Sequence, residues 1–171
     1  QTGTDEAGTG STTQDRSNST PQVTTPRPTA TPYEPRGSAG SATLDALCDG
    51  ILPSLINNDM STYQIARAVY GFARTFPYAA GQSPYYATGA EYGLKYRRGN
   101  CYTQAFVAEA LMRRAGVSAT HAREFEGRHA WAMGGDMVVD PNNGVFWQSL
   151  SSLQNVIARG RFYMYRTTKS A

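Results

Sequence analysis

The sequence predicts an α+β domain in which N-terminal helices pack on an antiparallel β-sheet. Three observations carry this expectation. Apolar residues recur at helical spacing through residues 43–115. Beyond Gly116 the pattern changes to strand-like runs. A Gly134-Gly135 pair separates two such runs as the turn of a hairpin would.

The chain has 171 residues, enough for one domain of ordinary size and too few for two. Its 16 basic and 13 acidic residues leave a formal charge of +3. That balance excludes a strongly basic nucleic-acid binder, which needs concentrated Lys and Arg to displace counterions from phosphates. No apolar run is long enough for a membrane span. Two cysteines allow at most one disulfide, and two histidines leave no histidine-rich metal site.

Residues 1–40 differ in kind from 41–171. They hold ten Thr, four Ser, five Pro and five Gly, with Val23 and Tyr33 the only large apolar side chains. Such a segment cannot bury enough surface to offset its ordering entropy, and it reads as a disordered linker or stalk. Residues 41–171 form the expected domain.

The first helix carries Leu44, Leu47, Cys48, Ile51 and Leu55 on one face. Ser61 and Gln64 have capping-box spacing and open a second helix, which Pro77 stops. Residues 77–99 read as a tyrosine-rich loop with a short helix near 88–94. A third helix runs from about 101 to 115 and ends at Gly116, a natural C-terminal stop. Strands are expected at 118–125, 129–133, 136–140, 145–148 and 161–166.

Cys101 follows Gly99-Asn100 and opens a helix, where free backbone N–H groups and the dipole favour a thiolate. Asn100 is a good N-cap. Cys48 instead lies in an apolar stripe, where a thiol acts as a small hydrophobe. An inert Cys101, or a Cys48–Cys101 bridge, is the competing reading. A two-residue turn at 134–135 places Met133 opposite Asp136, Trp131 opposite Val138 and His129 opposite Asp140. Opposed residues share a face, so the register sets a carboxylate beside an imidazole. Ala130, Ala132, Met137 and Val139 form the other, core-facing side. An Asp beside a His orients the ring and stabilises the imidazolium. A Cys within reach of that ring would complete a nucleophile–base–orienter set, although the sequence alone does not place it there. His121, with no carboxylate placed by register, reads as a half-buried or exposed strand histidine. A zinc site is disfavoured by the absence of short Cys/His spacings.

Tyr92-Gly93-Leu94, Arg98-Gly99-Asn100-Cys101, Arg114-Ala115-Gly116-Val117, His129-Ala130-Trp131 and Val138-Val139-Asp140-Pro141 together resemble the transglutaminase-like superfamily. The likeness covers roughly residues 43–148. It implies a papain-like core with the nucleophile at a helix start, packed on an antiparallel sheet. It also implies Cys101 as nucleophile, His129 as general base and acid, and Asp140 as orienter, with no cofactor and no metal. The implied reaction is acyl transfer on a peptide or protein amide, as cross-linking or hydrolysis through a thioester. The Cys101 N–H is the first oxyanion donor. Tyr96, Tyr92 and Tyr78 are candidates for a second donor or a pocket wall, and Trp131 for a wall beside His129. The small size and the Thr/Pro-rich stalk fit a bacterial-type, extracellular or cell-surface domain whose partner is a surface protein or cell-wall peptide. A catalytically silent surface binding module on the same fold is the alternative.

Overall fold

A computed structural model describes residues 29–124, 126–157 and 165 of the chain. Five helices and four strands follow one another as α1 (Ala42–Asp49), a 3-10 turn (Leu52–Ser54), α2 (Thr62–Arg74), α3 (Tyr86–Tyr96), α4 (Cys101–Arg114), β1 (Ala119–Arg123), β2 (Ala130–Gly134), β3 (Met137–Asp140), β4 (Val145–Ser149) and α5 (Leu150–Ile157). The strands form one antiparallel sheet in the order β1-β2-β3-β4. The expected mixed, antiparallel architecture is therefore present.

Helix α4 is the centre of the domain. Eleven of its 14 residues are buried, from Cys101 to Met112. A helix buried almost all round must be packed on more than one side. It packs against α1, α2 and α3 on one side and against the sheet on the other. Its buried carboxylate is bonded through both oxygens. Glu109 meets His121 on β1 and Arg113 one turn on. Helix α2 begins with the expected capping box, Ser61 and Gln64 each closing on the other's backbone.

The first expected helix breaks after Asp49, and a 3-10 turn with Pro53 replaces its last turn. The 77–99 region holds a longer helix than expected, α3, which ends with Arg97 in the left-handed conformation. The sequence pattern pointed to no element where helix α5 stands. It opens where the Ser149 hydroxyl accepts from the Ser152 amide. The strand expected over 161–166 lies outside the described residues, apart from Tyr165.

The hairpin register differs from the expected one. The turn is Gly135-Asp136, and Met133 pairs with Val138 and Gly134 with Met137. Gly135 takes the positive φ of 64°. Gly134 stays in the strand, where a Cβ would lie 3.1 Å from the Trp147 ring. Trp147 is itself the extra residue of a bulge in β4, with φ 57°. The displacement is two residues, an even number, so every side chain keeps its expected face. His129 is therefore diagonal to Asp140 rather than directly opposite it.

Both faces of the sheet are covered. Ala132 and Val139 join the main core under α4. Trp131, Met133, Val138 and Val145 form a second cluster with Leu153 of α5 and Tyr165. His129 thus lies beside a second apolar layer that the sequence pattern did not indicate.

The domain begins earlier than residue 41. Asn58 and Asp59 bond the backbone of Thr31, and the Arg36 guanidinium bonds Asn58. Gly37 N–H donates to the Arg114 carbonyl, and Ala39 is fully buried. Residues 29–40 therefore form a strap along the domain. The linker reading of 1–28 lies outside the described residues.

Candidate active site

Asn100 caps α4, accepting from the Thr103 amide at 3.1 Å. The loop before it is zipped to the end of the α2 segment: Gly99 N–H donates to Pro77 O, and Ala79 N–H to Gly99 O. Gln104, one turn into α4, donates to Phe76 O at 3.3 Å. These bonds fix the first turn of α4 and hence Cys101, which is 9% exposed. The same backbone pairing carries Tyr78 to the rim of a cleft of about 210 Å³. Cys101, His129, Glu124, Arg128, Asn142 and Asn143 line the rest of it.

His129 Nε2 lies 2.6 Å from Asp140 Oδ2. Cys101 lines the same cleft as the ring. With Nε2 turned to Asp140, Nδ1 is the nitrogen left for the thiol. Burial is the largest influence on the ring and disfavours its charge. The hydrogen bonds to Asp140 and Cys101, and their charges, outweigh it and raise the imidazolium pKa to about 9. Trp131 stacks on the ring at 5.9 Å and is fully buried beneath it.

Asp140 has no exposed surface. Its Oδ1 accepts from the Asn143 amide at 3.1 Å, and its Oδ2 from the Tyr165 hydroxyl at 2.6 Å. The Asn143 side-chain amide also reaches His129 Nε2, at 2.9 Å. A buried carboxylate with three donors is held in place.

The chain matches the transglutaminase-like superfamily over residues 49–151. It belongs to that superfamily. No curated protein and no solved structure matches the chain. At the level of the superfamily, membership points to cysteine-dependent acyltransferase or peptidase-type activity.

The other expected site residues separate within this transglutaminase-like domain. Tyr78 stays at the cleft, 67% exposed. Tyr92 and Tyr96 meet as a tilted pair and line a different hollow on α3, with Thr88, Glu91 and Lys95. They line no part of Cys101's cleft. Trp131 backs the His129 ring and is not part of the cleft lining. His121 does have a carboxylate, Glu109 Oε2 at 2.6 Å, supplied by α4 rather than by strand register. Cys48 is fully buried, and burial with the charges of Asp45 and Asp49 pushes its thiol up to about 12. Both cysteines are free thiols.

Asn143, Glu124 and Tyr165 are among the site residues that the sequence did not single out. Asn143 had a local signal, since Asp140 and the turn after it favour a side-chain bond three residues on. Glu124 accepts from the amides of Glu126 and Arg128 and so shapes the loop entering His129. Tyr165 comes from 25 residues beyond Asp140, with no spacing signal at all.

Proposed function

We propose that this domain is a cysteine-dependent enzyme that cleaves or exchanges amide bonds of peptides or proteins. The observation that carries the reading is the His129 ring, 2.6 Å from buried Asp140 and lining one small cleft together with Cys101. His129 takes the Cys101 proton, and Sγ attacks the carbonyl carbon of the amide. Negative charge develops on the carbonyl oxygen, and the Cys101 backbone N–H at the start of α4 is the first donor to it. The C–N bond then breaks, its electrons stay on nitrogen, and the imidazolium gives that nitrogen its proton. The acyl group remains on Sγ as a thioester. An amine or a water attacks it, loses a proton to His129, and the C–S bond breaks to free the thiolate.

The cleft, at about 210 Å³, is smaller than the roughly 300–1,000 Å³ that enclose a drug-sized ligand. That favours a single side chain or peptide unit presented from a larger molecule. The Thr/Ser/Pro/Gly-rich residues 1–28 support a domain carried outside the cell on a stalk, acting on a surface protein or cell-wall peptide.

The test is the pH dependence of iodoacetamide labelling at each cysteine, read by peptide mass spectrometry, in wild type and His129→Ala. Cys101 should label fast below about pH 8 and slow sharply in the variant, while Cys48 stays unlabelled. An accessible Cys101 with an ordinary thiol profile, unchanged by His129→Ala, would sink the reading. Turnover is then sought with glutamine-containing peptides, with and without a primary amine.

A further inference from the structure

Two donors share one oxygen of Asp140. His129 Nε2 and the Tyr165 hydroxyl each lie 2.6 Å from Oδ2. Tyr165 is fully buried, with its ring edge-on to Trp131 at 4.9 Å. Its carbonyl accepts from Gln154 Nε2 on α5 at 3.3 Å. The hydroxyl is thus delivered to the carboxylate by a packed ring and an anchored backbone. Burial and the negative charge of Asp140 push the phenol pKa up, so the group remains a donor.

The chemistry gives that donor a purpose. The imidazolium of His129 has to form readily and then release its proton to the leaving nitrogen. A carboxylate whose Oδ2 served the ring alone would hold that proton too firmly. A second donor on the same oxygen draws off part of its charge. We propose that Tyr165 is a positioning residue of the Cys101–His129–Asp140 site, fixing the carboxylate and limiting the charge that Oδ2 presents to the ring. The proposal rests on the reading of that triad given above.

The other groups around the pair are Asn143, which bonds Asp140, His129 and the Tyr165 hydroxyl, and Cys101, Glu124 and Arg128 on the cleft side. Arg74 of α2 donates to the Pro141 carbonyl next to Asp140, and Tyr70 acts on Tyr165. Tyr165→Phe removes the hydroxyl and its bonds to Asp140 and Asn143 and keeps the ring against Trp131; an effect carried by Asn143 would persist without the carboxylate.

The experiment is an NMR pH titration of the His129 ring in the full chain, comparing wild type with Tyr165→Phe. The chain has two histidines, so His121→Gln assigns the signals. The His129 midpoint should move up by about half a pH unit or more in Tyr165→Phe. In an Asp140→Asn background the same substitution should leave the midpoint where it was, because the effect runs through the carboxylate. A midpoint that stays or falls in Tyr165→Phe, or one that moves equally in both backgrounds, would overturn the proposal. Should Tyr165→Phe fail to fold, a fluorinated tyrosine installed at 165 strengthens the donor instead. The midpoint should then fall, and an unchanged one would overturn the proposal. This readout needs neither substrate nor a reactive cysteine. A midpoint that moves as expected beside an inert Cys101 would uphold the contact while removing the enzymatic reading.

Discussion

Asp140 is wholly buried and bonds a ring that gains and loses a proton in the proposed reaction. The sign of its effect on stability is fixed by the ring. His129 has a pKa raised from 6.5 to about 9 in the folded protein. A group that binds its proton more tightly when folded adds stability that is complete below the unfolded pKa and is lost as pH rises through the folded one. Wild type should therefore lose stability between about pH 6.5 and about pH 9. Asp140→Asn removes the first of the influences that raise the ring, so the urea midpoint should fall less steeply over the same interval. Activity should drop about 10²- to 10⁴-fold, as when the orienting carboxylate of a comparable triad is neutralised. Equal pH slopes in the two proteins would mean that Asp140 does not hold the imidazolium. Cys48 offers the contrasting residue. Cys48→Ser puts a hydroxyl among apolar neighbours and should cost about 1–3 kcal/mol of stability with turnover retained. A stably folded Cys48→Ser protein without turnover would refute its assignment to the core.

The pairing of α3 with α4 decides how closely the tyrosine-rich surface approaches the site. A Cβ on Gly93 would come 2.4 Å from Val107 Cγ2 and 2.7 Å from Thr103 Cγ2, both on α4. Gly93→Val gains roughly 0.5 kcal/mol of helix propensity but must push the helices apart, which costs about 1–3 kcal/mol. A lower denaturant midpoint with unchanged helical circular dichroism is the expected result. A variant as stable as wild type would mean that the two helices are not held this close. The same glycines explain why α3 was only partly legible: Gly89 and Gly93 are poor helix formers, and the helix exists because they let α4 come near. Elements with strong local signals were readable, among them the α2 capping box, the Asn100 cap and the hairpin faces. The register was misplaced by two residues because either glycine of Gly134-Gly135 suits a turn, and Trp147, distant in sequence, chooses between them. Cys101, His129 and Asp140 were legible because each sits at a local landmark. Tyr165 and Glu109 were not, since what gives them meaning is a tertiary partner.

At the scale of the whole molecule, the strap at residues 29–40 ties together parts that are far apart in sequence. Arg114, at the end of α4, receives Gly37 N–H on its carbonyl and sends its guanidinium to Gly37 O and to Asp49. Tyr86 of α3 donates to the Ala39 carbonyl at 2.8 Å, and Asp45 of α1 accepts from the Ala39 amide. One short segment thus bridges α1, α3 and the C-terminus of α4. Composition hid this, because Thr, Pro and Gly dominate the segment and only Tyr33 hints at burial. The strap crosses the end of α4 opposite Cys101, so its loss should weaken the domain more than the site. A chain beginning at 41 forfeits several hydrogen bonds, each worth about 1 kcal/mol net, and the burial of Ala39. It should melt roughly 5–10 °C below a chain beginning at 29. Cys101 labelling in the two should match at temperatures where both are folded. Equal melting temperatures would show that the strap rides on the domain without stabilising it. A loss of Cys101 reactivity in the shorter chain, with its melting temperature kept, would mean instead that the strap orders the first turn of α4 from the far end of the helix.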